Sequence, residues 1–284
     1  MKDMAYSDKQ LQLVKDIKHV ALDMDGTIYN GSTLFSFTIP FLNKLTDMGI
    51  GYSFLTNNSS KSVDDYMANL NRMGIPAREE DMYTSSKATI EFLKINYPQY
   101  KRLFLLGTPS MVREFEKAGY ISTEESPDDR PDAVIVAFDA SLAYPRLCRA
   151  TWWVKEGLPY IATNPDKVCP TDKPVVLVDC ASICAAIQEA TGRTPDVVIG
   201  KPDPRMLQGI LVRNGVAPEE VAIVGDRIYT DVRMAKNAKA LGVLVMSGET
   251  DEAILNSSDI VPDIVARDLE EFGAILEAVH QPAL

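Results

Sequence analysis

A short apolar run followed by a helical pattern that ends at a glycine recurs along this sequence and limits the folds it can adopt. Residues 20–22 form the first such run, and residues 51–55 form another after a helical pattern that ends at Gly49. Runs of this length are typical of buried strands, and glycine commonly ends helices because it adopts positive φ without strain. Strands that alternate with helices predict a parallel sheet with right-handed crossovers. We therefore expect an α/β fold.

The same pattern predicts elements along the rest of the chain. Strands are expected at residues 20–22, 51–55, 102–106, 133–138, 160–162, 197–199, 221–224 and 242–246. Helices are expected at residues 7–18, 40–48, 63–73, 109–118, 144–155, 181–190, 231–240 and 269–279. Ser7 and Gln10 predict a capping box for the first helix, and Asp203 with Pro204 predicts the start of another that ends near Gly215.

Two aspartates follow the first predicted strand. Asp23 and Asp25 are two residues apart, so their side chains project the same way if the strand continues. Ligands bind at the carboxyl ends of strands in open α/β sheets. Carboxylates this close repel each other unless a cation or a shared proton intervenes. We therefore predict a hard cation, Mg²⁺ before Ca²⁺, against the alternative of a turn that is simply rich in Asp and Gly.

Three more polar motifs follow predicted strands. They are Thr56 with two asparagines after it, Lys201 in a Gly-Lys-Pro segment, and Asp226 with Asp231. Taken alone, a lysine is usually a solvated surface residue and a threonine often just ends a strand. Their order along the chain, each at a strand end, points to one site.

Together these motifs resemble the haloacid dehalogenase superfamily of aspartate-nucleophile phosphohydrolases, over essentially the whole chain. The long insert between Thr56 and Lys201 resembles the branch with a large α/β cap. That branch contains p-nitrophenyl-phosphatase-like, N-acetylglucosamine-nucleotidase-like, and pyridoxal-phosphate or phosphoglycolate phosphatases. The segments at 162–166 and 200–202 are similar to sequence motifs of that branch. The resemblance implies a Rossmann-like, doubly wound parallel core at residues 1–80 and 198–284, with an inserted α/β cap domain at residues 81–197.

The resemblance also implies catalytic roles. Asp23 would attack phosphorus to form an aspartyl phosphate, and Asp25 would protonate the leaving alkoxide and later deprotonate water. Mg²⁺ would be held by the Asp23 carboxylate, the Asp25 carbonyl and Asp226. Asp231 would support the site from just outside, orienting Lys201 or a metal-bound water.

Substrate contacts follow from the same resemblance. Thr56, Asn57 and Asn58 would hold phosphoryl oxygens, with Lys201 as the fixed positive charge. Asn164 is either a further substrate contact or part of a plain turn. A small-molecule phosphate ester is thus the expected partner.

The leaving-group pocket is expected at residues 138–140 and 164–170. Relatives that favour pyridoxal phosphate carry a Tyr-Asp-Glu-like turn and a histidine there, whereas this chain has Phe-Asp-Ala and Cys169. Sugar phosphates, nucleotides and phosphoglycolate therefore stay open as substrates, with p-nitrophenyl phosphate as an artificial one.

The leading prediction is a magnesium-dependent phosphomonoesterase, and two alternatives stand beside it. A phosphotransferase or mutase of the same superfamily usually carries a small helical cap, for which the chain between Asp25 and Phe54 has little room. A catalytically silent binding protein would be expected to lose Asp23 or Asp25, and both are present. Dehalogenation is disfavoured because it does not need the acid–base chemistry of Asp25.

Composition limits the partners and the compartment. A net charge of −11 argues against nucleic acid and anionic membranes as partners. We find no apolar run of membrane-spanning length and no signal-peptide core in the first residues. The four cysteines (148, 169, 180 and 184) show no Cys-x-x-Cys spacing, and with only two histidines a zinc site is not expected. Cys180 and Cys184 are four residues apart on a predicted helix, and we expect them to be buried free thiols. We expect a reduced cytoplasmic protein, with a homodimer through the cap as a further expectation.

Overall fold

Fully buried residues make up the central strands of the computed structural model, which describes residues 6–75, 77–169, 171 and 174–280. All residues of His19–Leu22 and of Val221–Gly225 are buried. Strands buried on both faces are typical of parallel sheets that helices cover, as the alternation in the sequence predicts.

The strands, in chain order, are β1 His19–Leu22, β2 Tyr29–Asn30, β3 Thr33–Leu34, β4 Gly51–Thr56, β5 Met82–Thr84, β6 Arg102–Leu106, β7 Ile121–Ser122, β8 Ala133–Val136, β9 Tyr160–Ala162, β10 Val168–Cys169, β11 Leu177–Val178, β12 Val197–Val198, β13 Val221–Gly225, β14 Leu241–Val245 and β15 Ile264–Ala266. The helices are α1 Asp8–Lys15, α2 Thr38–Asp47, α3 Val63–Arg72, α4 Ser85–Asn96, α5 Pro109–Lys117, α6 Tyr144–Lys155, α7 Cys180–Thr191, α8 Arg205–Asn214, α9 Arg233–Ala238, α10 Glu252–Ser257 and α11 Leu269–His280.

The chain divides into two compact units, and the first comprises the described residues within 1–55, 71–81 and 202–284. Five of its strands are hydrogen-bonded in the order β15-β14-β13-β1-β4, all parallel. Leu22 at the end of β1 pairs with Val224 of β13 on one side and with Phe54 of β4 on the other. The residues that follow β1 and β13 are therefore neighbours at one edge of this sheet.

The second unit comprises the described residues within 56–70 and 82–201. Its sheet has the order β12-β9-β8-β6-β7, again parallel, and β10 and β11 form a separate antiparallel hairpin. Trp153 of α6 is 1% exposed within an apolar core that α7 and the sheet complete. The two parallel sheets with their helices confirm the predicted α/β class, whereas the predicted domain limits 1–80, 81–197 and 198–284 stay a prediction.

Several helix ends follow the predicted capping chemistry. The Ser7 side chain accepts from the Gln10 backbone N–H, and the Gln10 side chain accepts from the Ser7 backbone N–H, so the predicted capping box is confirmed. Gly215 ends α8 in the left-handed region at φ +62°. Arg205 is the first residue of α8, and Pro204 precedes it with helical φ −65° and ψ −19°. The Asp203 carboxylate accepts from the Arg205 backbone N–H at 2.9 Å, as a capping side chain does.

The segment after Asp226 differs from its prediction. A continuous helix over residues 231–240 is wrong: a π-helical turn spans Ile228–Val232, and α9 covers only Arg233–Ala238. The Asp231 carboxylate accepts a hydrogen bond from the Arg227 backbone N–H at 3.2 Å. This wide turn directs Asp231 back toward the end of β13 instead of letting it start a regular helix.

The remaining features of the fold are the state of the cysteines and the length of the helices. All four cysteines are free, with Cys180 and Cys184 buried and Cys148 exposed. Within the described ranges, we find no helix that combines the length and the apolar character needed to cross a membrane.

Candidate active site

Three carboxylates converge where two neighbouring strands end. Asp23 follows β1, Asp226 follows β13, and Asp231 lies in the π-helical turn. One carboxylate oxygen from each lies within 4.8 Å of the others. The Asp23 backbone N–H donates to the Val224 carbonyl at 2.8 Å, which continues the β1–β13 ladder into the site. Oxygen ligands in this arrangement suit a hard divalent cation.

Asp226 is the member of this acid cluster with the clearest need for a ligand. It is 2% exposed, and its Oδ2 accepts from the Glu249 backbone N–H at 2.6 Å. Its Oδ1 is buried and has no hydrogen-bond partner among the described residues. Burial, reinforced by the carboxylates of Asp23 and Asp231, raises the pKa of Asp226 to about 8. A bound cation would relieve this repulsion and satisfy Oδ1, so the residues present fit a divalent metal.

Two glycines make room for the Asp226 carboxylate. A Cβ added at Gly26, whose φ is +84°, would lie 2.4 Å from Asp226 Oδ2, and one added at Gly248 would lie 2.1 Å away. Both distances are far inside van der Waals contact. The backbone therefore approaches the Asp226 carboxylate closely at both glycines, and a residue with a Cβ at either position would collide with it.

Asp25 lies in the turn that follows Asp23. Its Oδ1 accepts from the Gly31 backbone N–H at 3.4 Å, and the residue is partly exposed. The turn around it is tight, because the Gly26 N–H donates to the Tyr29 carbonyl at 2.7 Å and the Ile28 N–H donates to the Met24 carbonyl at 2.9 Å. Asp23 is thus one of the three converging carboxylates, and the prediction that its side chain and that of Asp25 project together stays a prediction.

An arginine lies beside the acid cluster. The Arg227 Nε is 2.9 Å from the Glu249 Oε2, and the Arg227 side chain is 17% exposed. Burial alone would lower the pKa of Arg227, but the nearby charges of Asp23, Glu249 and Asp226 hold it above its ordinary value. Sequence reasoning gave no role to either residue. Glu249 follows β14, the neighbour of β13, so attention to that strand end could have found it.

The second unit holds a different group of the predicted residues. The Asn57 side chain brackets the Lys201 backbone: its Oδ1 accepts from the Lys201 N–H at 2.7 Å, and its Nδ2 donates to the Lys201 carbonyl at 3.0 Å. Thr56 Oγ1 accepts from the Asn58 N–H at 3.1 Å. Lys201 is only 3% exposed. Two motifs far apart in sequence are therefore fixed to each other by one amide.

Asn164 belongs to the same network. Its Nδ2 donates to the Asn57 carbonyl at 3.0 Å, and its Oδ1 accepts from the Asp166 N–H at 2.9 Å. Asn58 Oδ1 accepts from the Ser60 N–H at 2.9 Å. These amides hold the loops in place, and their predicted contacts with substrate stay predictions.

The expected leaving-group pocket is described in part. Asn58 Nδ2 contacts the Cys169 sulfur at 3.5 Å, so the β10–β11 hairpin lies against the Thr56 motif within the second unit. The Phe138 N–H donates to Ser59 Oγ at 3.0 Å. Pro170, at the end of the predicted pocket, lies outside the described residues.

Comparison with known proteins finds two matching family models. One, described as haloacid dehalogenase-like hydrolase, matches residues 20–121, and the other, described as HAD-hydrolase-like, matches residues 198–272. The crystal structure of a 4-nitrophenylphosphatase from Thermotoga maritima is 38% identical with a TM-score of 0.87, covering 92% of this chain and 98% of that one.

Two other relatives carry phosphatase names. An acid sugar phosphatase from Staphylococcus saprophyticus is 29% identical over 91% of this chain and 97% of its own length. A glycerol phosphate phosphatase from Mycobacterium tuberculosis, solved in complex with magnesium, is 26% identical with a TM-score of 0.83, covering 91% of this chain and 78% of that one.

Proposed function

We propose that this phosphatase hydrolyses small phosphate monoesters with Mg²⁺ through an aspartyl phosphate on Asp23. The chain belongs to the haloacid dehalogenase-like hydrolase family. The observation that carries this proposal is the acid cluster, whose three carboxylates converge while the buried Asp226 Oδ1 lacks a hydrogen-bond partner among the described residues. Such a cluster is electrostatically costly without a cation.

The Asp23 and Asp226 carboxylates and the Asp25 carbonyl would hold the metal, with Asp231 beside them. When bound, Mg²⁺ shields the attacking carboxylate from the anionic phosphate and stabilises charge on the transferring group. The magnesium in the M. tuberculosis glycerol phosphate phosphatase supports this choice of ion.

Asp23 supplies the nucleophile. Its carboxylate oxygen attacks phosphorus in line, a new P–O bond forms to Asp23, and the ester P–O bond breaks. Asp23 is 9% exposed, and its backbone is fixed to β13, which keeps the attacking oxygen in place. Water then attacks the aspartyl phosphate, releasing inorganic phosphate and restoring the carboxylate.

Asp25 moves the protons. Its carboxyl group donates a proton to the leaving alkoxide oxygen and later accepts one from the attacking water. Asp25 is partly exposed, which suits a group that exchanges protons with substrate and water.

Thr56 and Lys201 would bind the phosphoryl oxygens. The hydroxyl of Thr56 and the ammonium of Lys201 are the donor and the cation that such oxygens need. The two hydrogen bonds between the Asn57 side chain and the Lys201 backbone support this role, because a fixed backbone limits the positions that the lysine can take.

The substrate is expected to be a small phosphorylated polyol or sugar. The names of the acid sugar phosphatase and the glycerol phosphate phosphatase support this class. Phosphoglycolate and nucleotides belong in the same test panel. The predicted homodimer through the cap and the cytoplasmic location also stay proposals.

The test is hydrolysis of p-nitrophenyl phosphate with and without Mg²⁺. We expect turnover that EDTA abolishes, and a loss of roughly 10⁴-fold in kcat for Asp23→Asn, since removing a nucleophile commonly costs this much. Asp259→Asn makes the same chemical change at a side chain that is 89% exposed and should keep full activity. Activity retained in Asp23→Asn would remove Asp23 from the nucleophile role. A panel of phosphorylated metabolites ranked by kcat/KM would then identify the substrate class.

A further inference from the structure

The loop at residues 247–250, which begins two residues after the end of β14, makes hydrogen bonds to Asp226 and to the turn after β1. Ser247 Oγ donates to the Gly26 carbonyl at 2.7 Å. The Glu249 N–H donates to Asp226 Oδ2 at 2.6 Å, and the Thr250 N–H donates to the Asp226 carbonyl at 3.2 Å. This loop therefore holds both the turn after β1 and the backbone and carboxylate of Asp226.

The Glu249 side chain contacts two residues of the segment that follows β13. Its Oε2 is 2.9 Å from Arg227 Nε, and its Oε1 accepts from the Tyr229 hydroxyl at 2.5 Å. The side chain is 41% exposed, so its orientation depends on these polar contacts more than on packing. Both partners lie within three residues of Asp226, so they join the loop after β14 to the segment after β13.

The position of the Glu249 N–H decides how the Asp226 carboxylate is turned. The Glu249 N–H donates to Oδ2, and the Gly248 backbone lies close to the same oxygen. Oδ1 is therefore the carboxylate oxygen left without a hydrogen-bond partner among the described residues. A hydrogen bond to a metal-ligating carboxylate orients the ligand and raises metal affinity. The geometry of this hydrogen bond depends on the position of the loop that contains Glu249.

We propose that Glu249, anchored by Arg227 and Tyr229, is a positioning residue that orients Asp226 for the metal. This inference rests on the proposed metal-dependent function. A competing explanation is that the Glu249 charge simply attracts the cation through space. The two explanations differ at Tyr229, whose hydroxyl anchors Glu249 without adding charge.

The test measures binding of Mn²⁺ alone, by electron paramagnetic resonance titration of the full chain. We expect the dissociation constant to rise by roughly tenfold for Glu249→Gln, at the lower end of the effects of groups that orient metal ligands. For Tyr229→Phe we expect a smaller rise of roughly threefold, because one of the two contacts of Glu249 remains. The double variant should lose little beyond Glu249→Gln, because both changes break one linkage. Glu252→Gln, an exposed glutamate three residues on, is the matched control and should bind like the wild type.

Three results would overturn the inference. Wild-type affinity in Glu249→Gln would show that the loop needs no anchor. A loss in Glu249→Gln with none in Tyr229→Phe would show that only the charge matters. Failure of the wild-type chain itself to bind Mn²⁺ would refute the proposed metal site and this inference with it, so the two failures are distinguishable. Thermal unfolding of each variant shows whether the fold is intact.

Discussion

The two units of this molecule arrange their polar residues in opposite ways. In the first unit, the carboxylates of Asp23, Asp226 and Asp231 converge, and burial together with the repulsion between them raises the pKa of Asp226. In the second unit, hydrogen bonds between the Asn57 side-chain amide and the Lys201 backbone fix the position of the lysine. A cation would stabilise the first arrangement, whereas hydrogen bonds to the amide hold the second. Metal binding and phosphate binding should therefore respond to different substitutions.

Gly248→Ala should have the largest effect on the first unit. The new methyl group would meet Asp226 Oδ2 at 2.1 Å and force the carboxylate or the loop to move. We expect Mn²⁺ affinity and phosphatase activity to fall by about 10²-fold, the upper range for disturbing groups that orient a metal ligand.

Gly157→Ala is the contrasting change in the second unit. Gly157 has φ +84°, but a Cβ there would meet no atom within 4 Å. It should cost about 1 kcal/mol of unfolding free energy through backbone strain and leave metal affinity unchanged. Equal Mn²⁺ affinity in Gly248→Ala and Gly157→Ala would contradict the claim that Gly248 makes room for the Asp226 carboxylate.

Asn57→Ala should affect the second unit while sparing the metal. It removes the acceptor and the donor that hold the buried Lys201 backbone. Leaving these buried groups unsatisfied should cost about 3 kcal/mol of unfolding free energy and raise KM for phosphate esters. Asn96→Ala, which loses one exposed bond to the Phe92 carbonyl, is the control and should cost less than about 1 kcal/mol. A loss of Mn²⁺ affinity in Asn57→Ala would mean that the two groups do not act separately.

The two units should also differ in the pH dependence of their stability, measured in the presence of Mg²⁺. Burial lowers the pKa of His19, in the first unit, from 6.5 to about 4. The unfolded chain then binds more protons between these values, so His19 destabilises the fold as the pH falls, by about 2 kcal/mol at pH 5. Burial raises the pKa of Glu114, in the second unit, from 4.5 to about 7. Here the folded chain holds more protons, so stability falls as the pH rises from 4.5 to 7.

Urea unfolding of His19→Gln and Glu114→Gln from pH 4.5 to 8 separates these contributions. Relative to the wild type, His19→Gln should lose less stability on the acidic side, and Glu114→Gln should lose less on approaching neutral pH. Two difference curves of the same sign would refute the assignment of opposite titrations to the two units.

Much of the fold could be predicted because its signals are local. The strands Arg102–Leu106 and Tyr160–Ala162 and the helix Tyr144–Lys155 coincide with their apolar runs and glycine stops. The helix Ser85–Asn96 went unpredicted, although Thr84 caps it through the Lys87 N–H. Its first turn is polar and its amphipathic pattern is weak, so periodicity does not mark it.

The contacts within the site could be predicted only in part. Strand ends bring Asp23 and Asp226 together, because β1 and β13 pair in parallel. The hold of Glu249 on Asp226 and of Asn57 on Lys201 depends on backbone groups from distant segments. No local pattern encodes such a bond, since any residue type supplies the same N–H and carbonyl.

The most direct test of the central claim is to identify the residue that carries the phosphoryl group. Asp25→Asn should retain attack on p-nitrophenyl phosphate, whose leaving group needs no proton, but lose activation of water, so the phosphoenzyme should accumulate. Acid quenching, borohydride reduction and peptide mass spectrometry convert an aspartyl phosphate into homoserine at the labelled position. The account predicts homoserine at position 23, dependent on substrate and Mg²⁺. Homoserine at another aspartate, or continued turnover with none at position 23, would contradict it.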